Sequence, residues 1–230
     1  MSSASQRHKR RVKPPAVRPG DTVGIVAPAS NIKRGELDAG CAALQRAGYR
    51  PFHFDSIFDQ DLYFAGSIER RVRELEDMFV RDEVRAIVCA RGGYGANYLL
   101  EKLDLRKIRA HPKIFVGYSD ITSLLTRFAD AAGLVTFHGP MAAKDWTHEN
   151  GVDLFSWGAA LSGAEAWDVA LGAEVSGLVD GEAEGILYGG CLSILVASLG
   201  TANEIETAGT ILFLEDVPPN LIRSTACLCN

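Results

Sequence analysis

Residues 113–120 read Lys113-Ile114-Phe115-Val116-Gly117-Tyr118-Ser119-Asp120, and this stretch decides the fold. Ile114–Gly117 is a short apolar run of the kind that forms a strand buried on both faces. It passes straight into a second apolar-periodic run, Ile121–Ala132, which stops at Gly133 as a helix does. A serine on so sharp a strand-to-helix turn is held out above the edge of a sheet. The N–H of Asp120 points the same way and can help to hold an oxyanion, and the helix N-terminus favours developing negative charge. The spacing departs from Gly-x-Ser-x-Gly, because Thr122 and Ser123 follow Ile121. Ser119 or Asp120 could equally be the helix N-cap, so on these residues alone nucleophile and cap stand level.

Working outward, the same strand–helix alternation runs from Pro19 to about Gly139. Strands are expected at Thr22–Ala27, Tyr49–Phe54, Ala86–Ala90, Ile114–Gly117 and Leu134–Phe137. Helices are expected at Lys33–Ala47, Ser67–Val80, Ala96–Leu103 and Ile121–Ala132. Such alternation predicts an α/β fold, a parallel sheet with helices on both faces and ligands at the carboxyl ends of its strands. Beyond residue 140 small residues, glycine and acids dominate, with one helix expected at Val152–Leu161. A glycine pair, Gly189-Gly190, then precedes a helical run, Leu192–Leu199, and a strand, Thr210–Leu214. The expected division is a disordered basic leader at 1–18, an α/β domain at 19–145, a linker at 146–180 and part of a second domain at 181–230.

Composition bounds the rest. The chain has 230 residues, 47% hydrophobic and 23% charged, which is ordinary for a globular protein. No apolar run approaches the ~20 residues that span a bilayer, and no apolar stretch follows the basic N-terminus, so a membrane or secretory role is not expected. Arg7, Lys9, Arg10, Arg11 and Lys13 crowd the first fifteen residues without an acid, while the whole chain carries a net charge of −5. A body this acidic argues against nucleic acid as a partner. Five cysteines without regular spacing argue for a reducing compartment, hence the cytoplasm. Cys227-x-Cys229 is half a zinc site with no second half.

Three further segments can carry chemistry. Arg91-Gly92-Gly93-Tyr94-Gly95 follows a strand, and its glycines let backbone N–H groups approach an anion. Arg91 is suited to gripping a carboxylate. Phe137-His138-Gly139-Pro140 ends the fifth strand, and on the residues alone His138 is the first choice of general base for Ser119. His8, His53, His111 and His148 lie in the tail, a strand or polar loops. Leu214-Glu215-Asp216 ends a strand in two acids, one of which can orient a histidine.

Together with Pro19-Gly20-Asp21 and Ile25-Val26-Ala27-Pro28-Ala29-Ser30, these segments resemble the LD-carboxypeptidase family, which includes muramoyltetrapeptide carboxypeptidases and microcin C immunity peptidases. Arg91-Gly92-Gly93-Tyr94-Gly95, Gly117-Tyr118-Ser119-Asp120, His138-Gly139-Pro140, Gly189-Gly190 with Gly200-Thr201, and Leu214-Glu215-Asp216 fall in the family's order and spacing. The resemblance spans residues 18–217. It implies a flavodoxin-like N-terminal domain joined to a β-rich C-terminal domain, incomplete here, with the site between them and a homodimeric assembly. It implies a serine peptidase with Ser119 as nucleophile and Glu215 orienting the base. The N–H groups of Gly92 and Asp120 would form the oxyanion hole, and Arg91 would meet the substrate's terminal carboxylate. No metal or organic cofactor is implied.

On one point the resemblance overrides the residues. The family's catalytic histidine lies several tens of residues beyond the position of Glu215, so His138 is not it, and no histidine follows His148 here. The tail Asn220–Asn230 lacks the helical period the family would lead one to expect, and Cys191 stands where relatives usually have Asn. The expected reaction is removal of a C-terminal D-amino acid from a murein tetrapeptide. Alternatives are hydrolysis of a peptidyl-adenylate, non-catalytic binding of a small anion, or an inactive fragment.

Overall fold

The computed structural model describes residues 11–163, 168 and 175–216. The first ten residues, the tail after Asp216 and the Cys227-x-Cys229 pair lie outside the described residues.

Apolar runs bounded by glycine and polar turns give five strands: β1 (Thr22–Val26), β2 (Arg50–Phe52), β3 (Val84–Cys89), β4 (Ile114–Gly117) and β5 (Phe137–His138). They pair in parallel in the order β2-β1-β3-β4-β5. That is the flavodoxin-like order, and its switch point falls between β1 and β3. Helices α2 (Ile68–Val80), α3 (Leu105–Ala110) and α4 (Thr122–Arg127, continued by a π turn to Ala132) cover one face. Helices α1 (Arg34–Arg46) and α5 (Leu154–Leu161) cover the other. Phe115 of β4 stacks into an aromatic cluster with Phe79 of α2 and Phe128, at ring distances of 5.0–6.0 Å. Removing so large a buried ring costs about 3–5 kcal/mol.

The caps follow the sequence. Ser67 Oγ accepts the Arg70 N–H at 3.2 Å and starts α2. Gly48 and Gly133 end α1 and the α4 run with positive φ. The helix expected at Ala96–Leu103 is instead a 3₁₀ turn, Ala96–Leu99, followed by α3. Leu99, Leu100 and Leu103 are buried as a helix face would be. Asp104, however, starts a new helix by accepting the Arg106 N–H at 3.0 Å.

Two expected boundaries move. Residues 11–18, read as leader, are tied to the domain: Val12 donates to Gly133 O at 2.7 Å, Val17 donates to Leu161 O at 2.9 Å, and Val17 is buried. The stretch read as linker begins as core. Trp146 and Trp157 are buried edge to face at 5.1 Å, and Leu161 is buried beside them.

The second sheet is a parallel pair, β6 (Ile186–Cys191) and β7 (Thr210–Glu215), joined by α6 (Leu192–Ser198). Gly189 and Gly190 hide β6 from a propensity reading, yet packing demands them. A Cβ on Gly190 would sit 2.7 Å from the Thr122 methyl, so glycine lets β6 press on α4. Cys191 N–H donates to Thr122 Oγ1 at 3.1 Å, and the Tyr188 hydroxyl donates to Asp130. This docking carries the end of β7 toward the carboxyl end of the main sheet. Among the described residues no helix is long and apolar enough to cross a membrane.

Candidate active site

Ser119 sits where β4 gives way to α4. Its φ is +60°, one of two positive values at non-glycine residues among those described. Left-handed backbone costs an L-residue roughly 1–2 kcal/mol, so the surroundings must hold it. The turn is tight: a Cβ on Gly117 would lie 2.8 Å from Ile121. Gly92 closes from the β3 side, where a Cβ would lie 3.1 Å from Ser119 Cβ and 3.3 Å from its Oγ.

The loops around Ser119 are braced by buried polar groups. Asp120 is 2% exposed, and its carboxylate accepts the Ala96 N–H at 2.8 Å, tying the glycine loop to the serine turn. Arg71 of α2, also 2% exposed, donates to Pro28 O at 2.8 Å and Gly95 O at 2.9 Å, stapling the loop after β1 to the loop after β3. Ser30 Oγ accepts the Tyr94 N–H at 3.1 Å. Sequence reading missed Arg71, and it quoted Ser30 within a motif without giving it this bracing role. The available signal was an arginine on the buried face of an amphipathic helix.

Ser119, Gly92 and Arg91 line one cavity of about 430 Å³ with Gly93, Glu36, Met141, Lys144 and His148. That size falls within the range of small-ligand sites. Lys144 and His148 come from the loop after β5, which local sequence pattern did not mark.

Glu215, at the end of β7, reaches the same turn from the second sheet. Burial and neighbouring Asp216 raise its carboxyl above the usual range, while Lys144 and a hydrogen bond from the Ser119 N–H pull it back. Its Oε1 lacks a hydrogen-bond partner among the described residues and lies 4.0 Å from His138 Nε2. Partial burial holds the His138 imidazole below its ordinary value. Its ring packs against Phe213 at 5.0 Å and Tyr118 at 5.7 Å. His138 thus neighbours Glu215, while His148 is the histidine lining the Ser119 cavity. Tyr118, next to the serine, donates its hydroxyl to Asp145 Oδ1 at 3.0 Å, and Asp145 Oδ2 accepts the Met141 N–H at 2.8 Å. Among the described residues there is no cluster of three His, Cys, Asp or Glu side chains that could hold a metal.

The arrangement brings together a strained serine, a glycine loop, a cationic wall and a partly buried carboxylate. Comparison with known proteins points the same way. Residues 23–139 match the LD-carboxypeptidase N-terminal domain, and residues 184–228 match the LD-carboxypeptidase C-terminal domain. A probable murein peptide carboxypeptidase of Bacillus subtilis is 41% identical over 207 residues, covering 89% of this chain and 65% of its own length. The microcin C7 self-immunity protein MccF of Escherichia coli is 36% identical over 138 residues, or 59% of this chain and 40% of that protein. The crystal structure of a muramoyltetrapeptide carboxypeptidase from Oxalobacter formigenes superposes with a TM-score of 0.76 at 28% identity, covering 90% of this chain and 69% of that one. The chain therefore spans about two thirds of the length of the Bacillus relative. With both domain models matched in order and this level of identity, the chain belongs to the LD-carboxypeptidase family.

Proposed function

We propose that this chain carries the nucleophile side of a serine-type LD-carboxypeptidase that removes the C-terminal D-amino acid from a murein tetrapeptide. Ser119 Oγ attacks the scissile carbonyl carbon, and a histidine base takes its proton. The N–H groups of Gly92 and Asp120 hold the oxyanion. The C–N bond breaks as the base returns the proton to the leaving amine, and water then releases the acyl group from Ser119. Glu215 orients the base, and Arg91 receives the terminal carboxylate. The base is the histidine that the family places beyond Glu215. The single observation that carries the reading is Ser119 held at φ +60° on a strand-to-helix turn against Gly92.

The cationic wall would also suit the anionic linkage of a peptidyl-adenylate, and the MccF relative supports that second reading. An assay of both substrates separates the two. The test enzyme is this chain fused to the C-terminal third of the Bacillus relative. D-Alanine release is expected from the fusion, falling on the order of 10³-fold in Ser119→Ala. His138→Ala is expected to leave measurable, pH-dependent release. The 230-residue chain alone is expected to release D-alanine no faster than its own Ser119→Ala variant. Activity of the Ser119→Ala fusion within tenfold of its parent defeats the assignment. Loss in His138→Ala as deep as in Ser119→Ala would make His138 the base.

We also place the protein in the cytoplasm as a homodimer. Cys41, Cys89 and Cys191 are all free thiols, which suits a reducing compartment. Recovery of most of the protein outside the cytoplasm on cell fractionation would refute the location.

A further inference from the structure

The two N–H groups assigned to the oxyanion, those of Gly92 and Asp120, come from different loops, so something must hold the loops in register. One peptide unit is gripped from both sides. The Gly95 carbonyl accepts from Arg71 Nη1 at 2.9 Å, and the N–H of the same peptide, that of Ala96, donates to Asp120 Oδ2 at 2.8 Å. A cation and an anion, each 2% exposed, thus hold opposite ends of one amide dipole. The polarity matches, carbonyl toward cation and N–H toward anion, and each bond strengthens the other. Gly95 permits the grip: its φ is +113°, and a Cβ there would lie 3.2 Å from Arg71 Nη1. The same Nη1 donates to Pro28 O at 2.8 Å, and the Ser30 N–H donates to Gly92 O at 3.3 Å, so the loop after β1 backs the glycine loop. Asp120 is also fixed at its carbonyl, which accepts the Ser123 hydroxyl at 2.9 Å. Stability alone does not ask for this arrangement. Apolar side chains of like volume commonly match or better a buried pair of charges, and Arg71 Nε has no hydrogen-bond partner among the described residues.

We propose that Arg71 and Asp120 are coupled positioning residues: acting through the Gly95–Ala96 peptide, their side chains hold the Gly92 and Asp120 N–H groups at the spacing that an oxyanion on Ser119 requires. This rests on the serine-peptidase reading above. Neither side chain touches substrate. Their effect falls on the tetrahedral state, because a planar carbonyl draws far less on the two N–H groups than a full oxyanion does. Loss of either charge frees the Gly95–Ala96 peptide to turn and leaves the other charge buried without its partner. A chain lacking both has no orphan charge, so the two losses overlap rather than add.

The test is titration calorimetry on the full 230-residue chain with two probes. One is the murein tetrapeptide ending in D-alanine. The other is the matching peptide boronic acid, with boron in place of the scissile carbonyl carbon. Ser119 Oγ adds to the boron as its proton passes to water, giving a tetrahedral anion that uses the two N–H groups without a histidine. The parent should bind the boronate on the order of 10²-fold tighter than Ser119→Ala does. Asp120→Ala and Arg71→Met should each weaken the boronate about tenfold and leave the tetrapeptide within about twofold. The double variant should be within about twofold of the weaker single one. Asp120→Asn keeps the shape and can still accept the Ala96 N–H, so it should lose about threefold, and it is the variant to read should Asp120→Ala not fold. Boronate and tetrapeptide weakened alike, or neither weakened, overturns the proposal and leaves the reading of Ser119 standing. So does a double variant in which the two losses multiply. A parent that holds the boronate no tighter than Ser119→Ala does overturns that reading and this proposal with it.

Discussion

Ser119 is where a residue-scale cost is most visible. Its positive φ is a backbone state that glycine adopts freely and an L-residue does not. Both Ser119→Gly and Ser119→Ala delete the hydroxyl, but only glycine relieves the backbone. The glycine variant is therefore expected to be more stable than the alanine variant by about 1 kcal/mol, read from urea unfolding midpoints. Equal midpoints would mean that the turn is unstrained. Glu215 gives a second residue-scale expectation. Its folded carboxyl is raised by burial and Asp216, so the protonated form is the one the fold favours. That contribution is fully present below the ordinary value of 4.5 and is lost as pH rises through the raised value. Glutamine mimics the protonated form. Glu215→Gln should therefore melt with the parent at pH 4 and about 2 °C above it at pH 7; a variant that melts lower at pH 7 would reverse the sign. Ser119, Gly92 and Arg91 were legible because each stands at the end of an apolar strand, where α/β sheets put ligands. Lys144 and His148 were not. They enter through a loop whose path is fixed by Trp146 packing under α1, a tertiary contact that no local pattern announces.

At the scale of elements, two backbone turns meet without side chains between them. The loop after β3 lies against the turn after β4, and Gly92 is the point of contact. Its missing Cβ leaves 3.1 Å to Ser119 Cβ and 3.3 Å to Tyr118 O. An alanine there fits only if one turn yields a few tenths of an ångström, and the turn that yields carries Ser119, the proposed nucleophile. Gly92→Ala in the fusion enzyme is expected to lower kcat by about tenfold or more with little change in melting temperature. Unchanged kcat would show that the two turns are not held in register. The long elements were readable because their patterns are local: α1 and α2 by cap and periodicity, β3 and β4 as apolar runs. Those that escaped were decided by neighbours. α3 depends on Asp104 capping six residues, and β6 depends on glycines that any propensity reading scores against a strand. They are there because α4 and β7 approach too closely for a side chain.

For the whole molecule, the question is where the first cooperative unit ends. Composition put that point near residue 145, because small and acidic residues become frequent there. Packing puts it later. Trp157 meets Tyr49 at 6.4 Å as well as Trp146, Leu161 is buried, and its carbonyl is held by the Val17 N–H, so α5 closes the face that α1 opens. Beyond it, residues 175–185 are exposed and form neither strand nor helix. The β6–α6–β7 unit then rests on α4 through Thr122 and Asp130, while Leu187, Leu212 and Leu214 stay exposed. A parallel pair of strands is ordinarily covered on both faces, so this unit is the less stable part. Local opening should follow that difference. Limited proteolysis of the 230-residue chain is expected to cut first within residues 175–185 and to leave a resistant fragment ending near residue 163, identified by intact mass. Digestion of the β6–α6–β7 piece should follow, with the fragment persisting. A first stable product ending before Trp146 would show that α5 and its tryptophans do not belong to the α/β unit, and would return the boundary to the place composition suggested.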